Sequence, residues 1–319
     1  MLSSGDSFRA GKIEEMVEFD AELARVTGVA EVDDLDTESE EIKLEMILTR
    51  GEVQGRRTHL RHFQVNNVKK RKKDFVGQLL SVVFRPEDMR LIEGSKSRRR
   101  GYMNNVLSLL DWGYARSLKT YEEALKKRNK LLFKIREGEM TRSVLTYWNK
   151  QIVEHGEYLQ KKRTEFLQYF SKVEFPVDFS VKYMPSEISW ERLKQYQRQE
   201  MMAGRTLVGP HKDDLIVNLS DLNSESDHTN VAIYGSRGQQ RLAVLWLKVC
   251  ELEFLQDKTK QAPVLLLDDI LSELDKTSRG YVMELIGKDQ VIITTTEKRV
   301  VEEIENVADQ VQVIEFSLE

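Results

Sequence analysis

The chain has 319 residues, 40% hydrophobic and 32% charged, with a formal net charge of −4. That composition fits a soluble globular protein of one large domain with an insertion, or of two modest domains, and it excludes a global cationic field, so any nucleic-acid surface has to be a local patch. The single cysteine, Cys250, excludes an intrachain disulfide framework and a cysteine zinc site and points to a reducing, cytoplasmic setting; no apolar run reaches the roughly 18 residues of a membrane span, and no signal peptide opens the chain.

The first 66 residues read as β structure. "AELARVTGVAEV" predicts a strand. "EIKLEMILTR" places Ile42, Leu44, Met46 and Leu48 on one face of a second, half-buried strand. The acidic "DDLDTESEE" between them reads as a solvated hairpin loop. "RRTHLRHFQVNNV" predicts another strand with a turn at Asn66 and Asn67. "FVGQLLSVVFRPED" then predicts a short helix and a buried strand ending at Pro86.

From 96 to 203 glycine and proline become sparse. Leu118, Tyr121, Leu125, Arg128, Leu132 and Ile135 repeat at alternating steps of three and four. Leu145, Trp148, Ile152, His155, Leu159, Lys162, Phe166 and Tyr169 do the same. The spacing predicts a coiled-coil-like seam, and the short "REGEMTRS" connection predicts an antiparallel hairpin. A third helix is expected over "SEISWERLKQYQRQEMMA", capped by Ser186 or Ser189. The seam by itself says nothing about function.

After 204 strands and helices alternate. "DLIVNL" reads as a strand, "SDLNSESDHTN" as a loop, and "GSRGQQRLAVLWLKVCELEFLQ" as a glycine-rich turn opening a helix. "APVLLLDD" and "DQVIITTTE" read as buried strands flanking the helix of "SELDKTSRGYVMELI". A last helix and the strand "QVQVIEFSL" are expected to close the chain. The fold class is α/β, with a mainly parallel sheet and an inserted helical arm. The expected divisions are 1–95, 96–203 and 204–319.

"VLLLDD", residues 264–269, has the form of a Walker B strand: a run of aliphatics delivers carboxylates to a sheet edge, where ligands bind in open α/β folds. Asp268 is placed to hold magnesium and Asp269 to orient or deprotonate a water. An acidic end on a buried strand is the alternative. Ser236, Arg237, Gly238, Gln239 and Gln240 sit at a helix start, where amides and the dipole attract phosphate; an ordinary capped helix is the alternative there. Ser272 and Asp275 follow in "SELD".

In chain order, residues 236–240, 264–269 and 272–275 resemble the signature, Walker B and D-loop of ABC-type ATPases. "YGSRGQQRLAVLWLKVCELEFL" and "PVLLLDDILSELD" resemble the RecF family of bacterial recombination mediators. "GRTLVGPHKDDL" (204–215) and "FRPEDMRLIEGSKSRRRGYMNNVLSLLD" (84–111) are similar to further RecF segments. Lys96 stands where a proline is usual and Asn104 where an aspartate is usual, which is expected to loosen a turn and a helix contact. "MLSSGDSFRAGKIEE" resembles a segment that follows the family's phosphate-binding loop. The sequence contains no Walker A, G-x-x-x-x-G-K-[ST]. Gly5, Gly11 and Lys12 are mis-spaced, and Ile13 stands where the magnesium-binding hydroxyl is needed. The expectation is a chain that starts roughly 40–50 residues late, which would bind ATP weakly and leave apolar surface uncovered.

The resemblance implies an ATP-dependent homodimer in which Ser236, Gly238 and Gln239 touch the γ-phosphate held by the facing head. Asp268 then serves Mg2+, Asp269 takes the catalytic carboxylate position and Asp275 contacts the opposite head. Many ABC ATPases carry glutamate where this chain has Asp269, and Thr296 replaces their switch histidine; both imply slow, switch-like hydrolysis. It also implies DNA as a partner, duplex and gapped, with RecR and RecO, in replication, recombination, repair and the SOS response. Lys69, Lys70, Arg71, Lys72 and Lys73, and Arg98, Arg99 and Arg100, are candidate phosphate contacts or, alternatively, a solvated loop and a basic helix start. His211 reads as a metal ligand or as part of a structural turn. The competing function is a nucleotide-independent DNA-binding or scaffold derivative of the family. A transporter head and a long-armed structural-maintenance ATPase fit less well.

Overall fold

In the computed structural model the described residues are 1–7, 10–32, 40–219, 229–271, 274, 276–286, 290–308 and 310–316. They form two compact units, one of residues 1–82 and 255–265, the other of 83–254 and 266–319.

The first unit is built on antiparallel strands. β1 (Leu23–Val32) pairs with β2 (Glu40–Thr49) from Leu23 opposite Thr49 to Val32 opposite Glu40. Two short strands, β3 (Glu52–Val53) and β4 (Arg56–Arg57), form a small hairpin; β5 (Arg61–Val65) then pairs with β2, and β6 (Val68–Lys70) with β5. The order is β1-β2-β5-β6. Alternation puts Leu44, Met46 and Leu48 inward, where they pack with Val17, Phe63 and Phe75. The expected Asn66–Asn67 turn is present: both residues have positive φ, 50° and 61°, the backbone of a tight hairpin turn. A four-residue helix, α1 (Lys72–Phe75), follows. The loop expected over 33–41 falls mostly outside the described residues, as does that over 220–230.

β7 (Ser81–Phe84) leads into α2 (Arg90–Glu93), α3 (Lys96–Leu110) and α4 (Trp112–Arg136). α5 (Thr146–Tyr169) returns along α4. Arg128 pairs with Asn149, Ser117 with His155 and Asp111 with Tyr158. Their widening separation in sequence is that of an antiparallel hairpin, as predicted. The seam follows the expected positions over much of its length and departs from them locally. Tyr121, Arg128, Leu132, Ile152, Leu159 and Phe166 are buried, but Arg163 rather than Lys162 faces inward. A straight helix turns every 3.6 residues, so a 3.5-residue template drifts off its face.

Within the expected helical arm, between the hairpin and the third helix, lies a strand that no expectation covered, β8 (Phe179–Met184). "FSVKYM" alternates aromatic and β-branched residues with polar ones and pairs antiparallel with β9 (Asp214–Leu219) along six residues. α6 (Trp190–Ala203) starts at Ser189, whose hydroxyl accepts from the Arg192 amide, and stops at Gly204, φ 65°. β10 (Thr229–Asn230) completes the order β10-β9-β8.

α7 (Val231–Tyr234), α8 (Arg237–Thr259), β11 (Val264–Asp268), α9 (Lys276–Ile286), β12 (Val291–Thr294) and α10 (Lys298–Glu305) follow. β11 lies between β12 and β7. α9 joins β11 to the neighbouring β12, the crossover that makes a parallel pair. In the second unit Trp246 of α8 packs on Phe170 and Phe179. The strand expected at "QVQVIEFSL" is not formed at 310–316. Val313, Ile314 and Phe316 are exposed there: alternation makes a strand only where an edge accepts it.

Candidate functional site

β11 delivers its carboxylates through alternating burial. Leu265 and Leu267 are buried, and Asp268 ends the strand half-buried. The next residue, Asp269, is exposed and takes φ 50°, a left-handed conformation that aspartate tolerates better than most residues. Its amide donates to the Thr294 carbonyl at 3.1 Å and to Thr294 Oγ1 at 3.2 Å. Thr294 Oγ1 in turn donates to Asp268 Oδ1 at 2.9 Å. One threonine at the end of β12 thus fixes both carboxylate-bearing residues. Ile270, Leu271 and Leu274 are buried just beyond, and Arg279 of α9 donates to the Leu271 carbonyl. Thr296 lies two residues past β12, exposed in a bend. The hydroxyl that reaches Asp268 is therefore that of Thr294, which sequence reasoning missed. Its signal was there, a threonine ending a strand adjacent to the Walker B strand. Ser272 and Asp275 lie outside the described residues.

The glycine-rich turn is set by α7. The Asn230 side chain caps it, accepting from the Ala232 amide, and the Gly235 amide donates to the Val231 carbonyl. A Cβ on Gly235 would lie 2.6 Å from that carbonyl oxygen, so only glycine fits. Ser236 and Gln239 then form a reciprocal cap. The Gln239 amide donates to Ser236 Oγ at 3.3 Å, and the Ser236 amide donates to Gln239 Oε1 at 2.8 Å. Gln240 is buried, its Nε2 donating to the Val231 carbonyl. Arg237 projects outward and pairs with Glu93. The first amides of α8 have no intrahelical acceptor and sit at the positive end of the helix. The donor sets suit a magnesium–triphosphate: hard carboxylate oxygen at Asp268, and amides with a hydroxyl and a guanidinium at 236–239.

The basic candidates divide. Lys69, Lys70 and Arg71 are exposed, the first two on edge strand β6; Arg71 pairs with Asp74, and Lys72 with Asp6. Arg98 is exposed. Arg99 is committed inside the unit: it grips Asp214 at 2.6 and 3.1 Å and the Gly94 carbonyl at 2.8 Å. Arg100 donates to the Asp213 carbonyl. Burial pushes the Asp214 carboxyl up, but Arg99, the Leu215 amide and Lys96 together hold it below the usual range.

Asp213 is the centre of a buried network. It accepts from Arg163 at 2.7 Å, from Gln160 and the Ser186 amide at 2.8 Å each, and from the Tyr183 hydroxyl. Asn104 Oδ1 accepts from Tyr114 and Arg163, so the departure expected to loosen a helix contact is integrated into it. Lys96, the other departure, opens α3 and pairs with Asp214 at 3.6 Å. His211 lies in a short turn with Nδ1 2.7 Å from the Tyr121 hydroxyl, and desolvation pushes it down to about 4. Among the described residues no group of three or more His, Cys, Asp or Glu side chains could hold a metal ion. The His211 ring is engaged within the turn, between the Tyr121 hydroxyl and the Thr206 carbonyl. Among the described residues no helix is long and apolar enough to cross a membrane.

Residues 1–315 match the family model described as the RecF/RecN/SMC N terminal domain. The DNA replication and repair protein RecF of Thermoanaerobacter sp. (strain X514) is 32% identical, over 94% of this chain and 83% of that protein. RecF of Bacillus cytotoxicus is 29% identical, over 93% and 80%. Two solved structures of the recombination mediator RecF in the RecFOR pathway, one with ATP and one named for its complex RecF-ATPrS, superpose with TM-scores of 0.75 and 0.79. They are 30% and 29% identical and each covers 93% of the chain. The signature turn and the acidic end of β11 thus stand in a chain that belongs to the RecF/RecN/SMC N-terminal domain family and, within it, to the RecF proteins.

Proposed function

We propose that this RecF-like replication and repair protein works as an ATP-switched clamp on DNA. Two copies close when the signature turn of one meets nucleotide on the other; these 319 residues contain no Walker A and supply the signature and Mg2+ sides of that seam. Ser236, Arg237, Gly238 and Gln239 supply the phosphate contacts. To reach a phosphate, Ser236 and Gln239 exchange the hydrogen bonds of their mutual cap for bonds to the ligand. Asp268, aimed by Thr294, is the ligand for Mg2+, which when bound neutralises phosphate charge. Asp269 orients the attacking water and accepts its proton, and its short side chain makes turnover slow. Ser272 is assigned to the nucleotide side, Asp275 to contact with the opposite head, and Thr296 to the switch position.

Lys69, Lys70, Arg71 and Arg98 are the DNA contacts, sequence-independent and salt-sensitive. The clamp marks single-strand gaps in the cytoplasm and works with RecR and RecO to load recombinase. The observation that carries this reading is the Asp268–Thr294–Asp269 group at the strand end. Sedimentation of the full gene product with and without Mg-ATP tests it. A dimer that forms only with nucleotide, and fails in Asp268→Asn, is expected. A protein that binds gapped DNA identically with and without ATP would instead be the scaffold derivative.

A further inference from the structure

Arg237 is the first residue of α8, directly after the cap Ser236. The neighbouring polar side chains are engaged locally, Ser236 with Gln239 and Gln240 with the Val231 carbonyl. Arg237 instead carries its charge outward, 80% exposed, to Glu93, a residue 144 positions away in the chain. Glu93 is the last residue of α2, and that helix end is pinned. Leu91 and Ile92 are buried, and Arg99 donates to the carbonyls of Leu91 and Gly94. A Cβ on Gly94 would lie 2.3 Å from the Arg90 carbonyl oxygen, so the chain can leave α2 tightly only through glycine. A carboxylate gains nothing from the negative end of a helix. Glu93 is therefore held, on a fixed support, against the one arginine of the signature turn.

We propose that Glu93 is a positioning residue that restrains Arg237 until a phosphate replaces it. The inference rests on the reading of Ser236–Gln239 as a phosphate contact between two copies. At rest the carboxylate occupies the guanidinium and repels an approaching polyanion. On closure the triphosphate presented by the second copy takes over Arg237, and Glu93 is released to solvent. An exposed ion pair of this kind is weak, so a multiply charged phosphate displaces it readily. Glu93 thus sets how much nucleotide closure requires.

The test is the dimer dissociation constant of the full gene product in Mg-ATPγS, by sedimentation at low and high salt. The variants are Glu93→Gln, Glu93→Asp, Arg237→Gln and the double Glu93→Gln/Arg237→Gln. Glu93→Gln should tighten the dimer about two- to fivefold per site at low salt, with the gain shrinking at high salt. Glu93→Asp should restore the unsubstituted value, Arg237→Gln should weaken the dimer, and the double variant should match Arg237→Gln. Equal or weaker association of a folded Glu93→Gln protein would overturn the proposal. So would a gain that survives in the Arg237→Gln background, because it would then not act through Arg237. If the unsubstituted protein forms no nucleotide-dependent dimer, the clamp reading itself falls and takes this inference with it.

Discussion

Thr294 is the residue on which the acidic strand end depends. Its hydroxyl donates to Asp268 and accepts from the Asp269 amide. Thr294→Val keeps the shape and removes both bonds. It should cost about 1 kcal/mol of stability per lost bond, read from urea unfolding, and weaken magnesium-dependent nucleotide binding. Asp269→Asn keeps size and hydrogen bonding but cannot take a proton. It should lower ATP turnover about 100-fold or more in a phosphate-release assay while the nucleotide-bound dimer persists. His211 gives a pH signature. Its folded pKa, about 4, lies below the ordinary 6.5. Between those values the unfolded chain binds a proton that the folded one refuses. Stability should therefore fall as pH drops from 6.5 towards 4, by on the order of 3 kcal/mol, and level off below. His211→Gln should flatten that segment of the curve in unfolding titrations.

Elements whose causes are local were legible in sequence. The Asn66–Asn67 turn, the inward face of β2, the Ser189 cap and the start of α8 each follow from residues within a turn or two of one another. Elements that need a distant partner were not. β8 became a strand because β9 lay beside it, whereas the better-patterned 310–316 stayed unpaired. The ion pairs of the helical hairpin were equally hidden: Arg128–Glu200 and Arg163–Asp213 are almost fully buried and join residues 72 and 50 positions apart. A hydrophobic repeat places Arg128 on the seam but cannot announce its acceptor. Arg163→Met would strand Asp213 without its cation. It should destabilise the protein by about 3–5 kcal/mol in chemical unfolding, and Arg163→Met/Asp213→Asn should recover part of that loss.

At the scale of the whole molecule, net charge is nearly balanced, so the DNA affinity proposed above would have to come from a few cations. Of the arginines at 98–100, two are consumed by the fold. Lys69→Glu/Lys70→Glu should weaken binding to gapped duplex similarly for all sequences. It should also reduce the dependence of log K on log salt by about 2, measured by fluorescence anisotropy across a salt series. An unchanged slope would move the DNA surface elsewhere. The α/β class and the family were readable because signature and Walker B are contiguous strings. The geometry of the acidic strand end was not, since two strands have to meet before a threonine on one can hold an aspartate on the other.

The left-handed backbone at 269 bears on how a timer would be tuned if Asp269 takes the proposed catalytic position. Side-chain length there is not free to vary on chemical grounds alone, because the main chain favours compact residues that tolerate φ 50°. Lengthening the carboxylate by one methylene would bring it nearer its water but set a less tolerant residue on the same bend. On that reading a torsion angle would help set the pace of the switch.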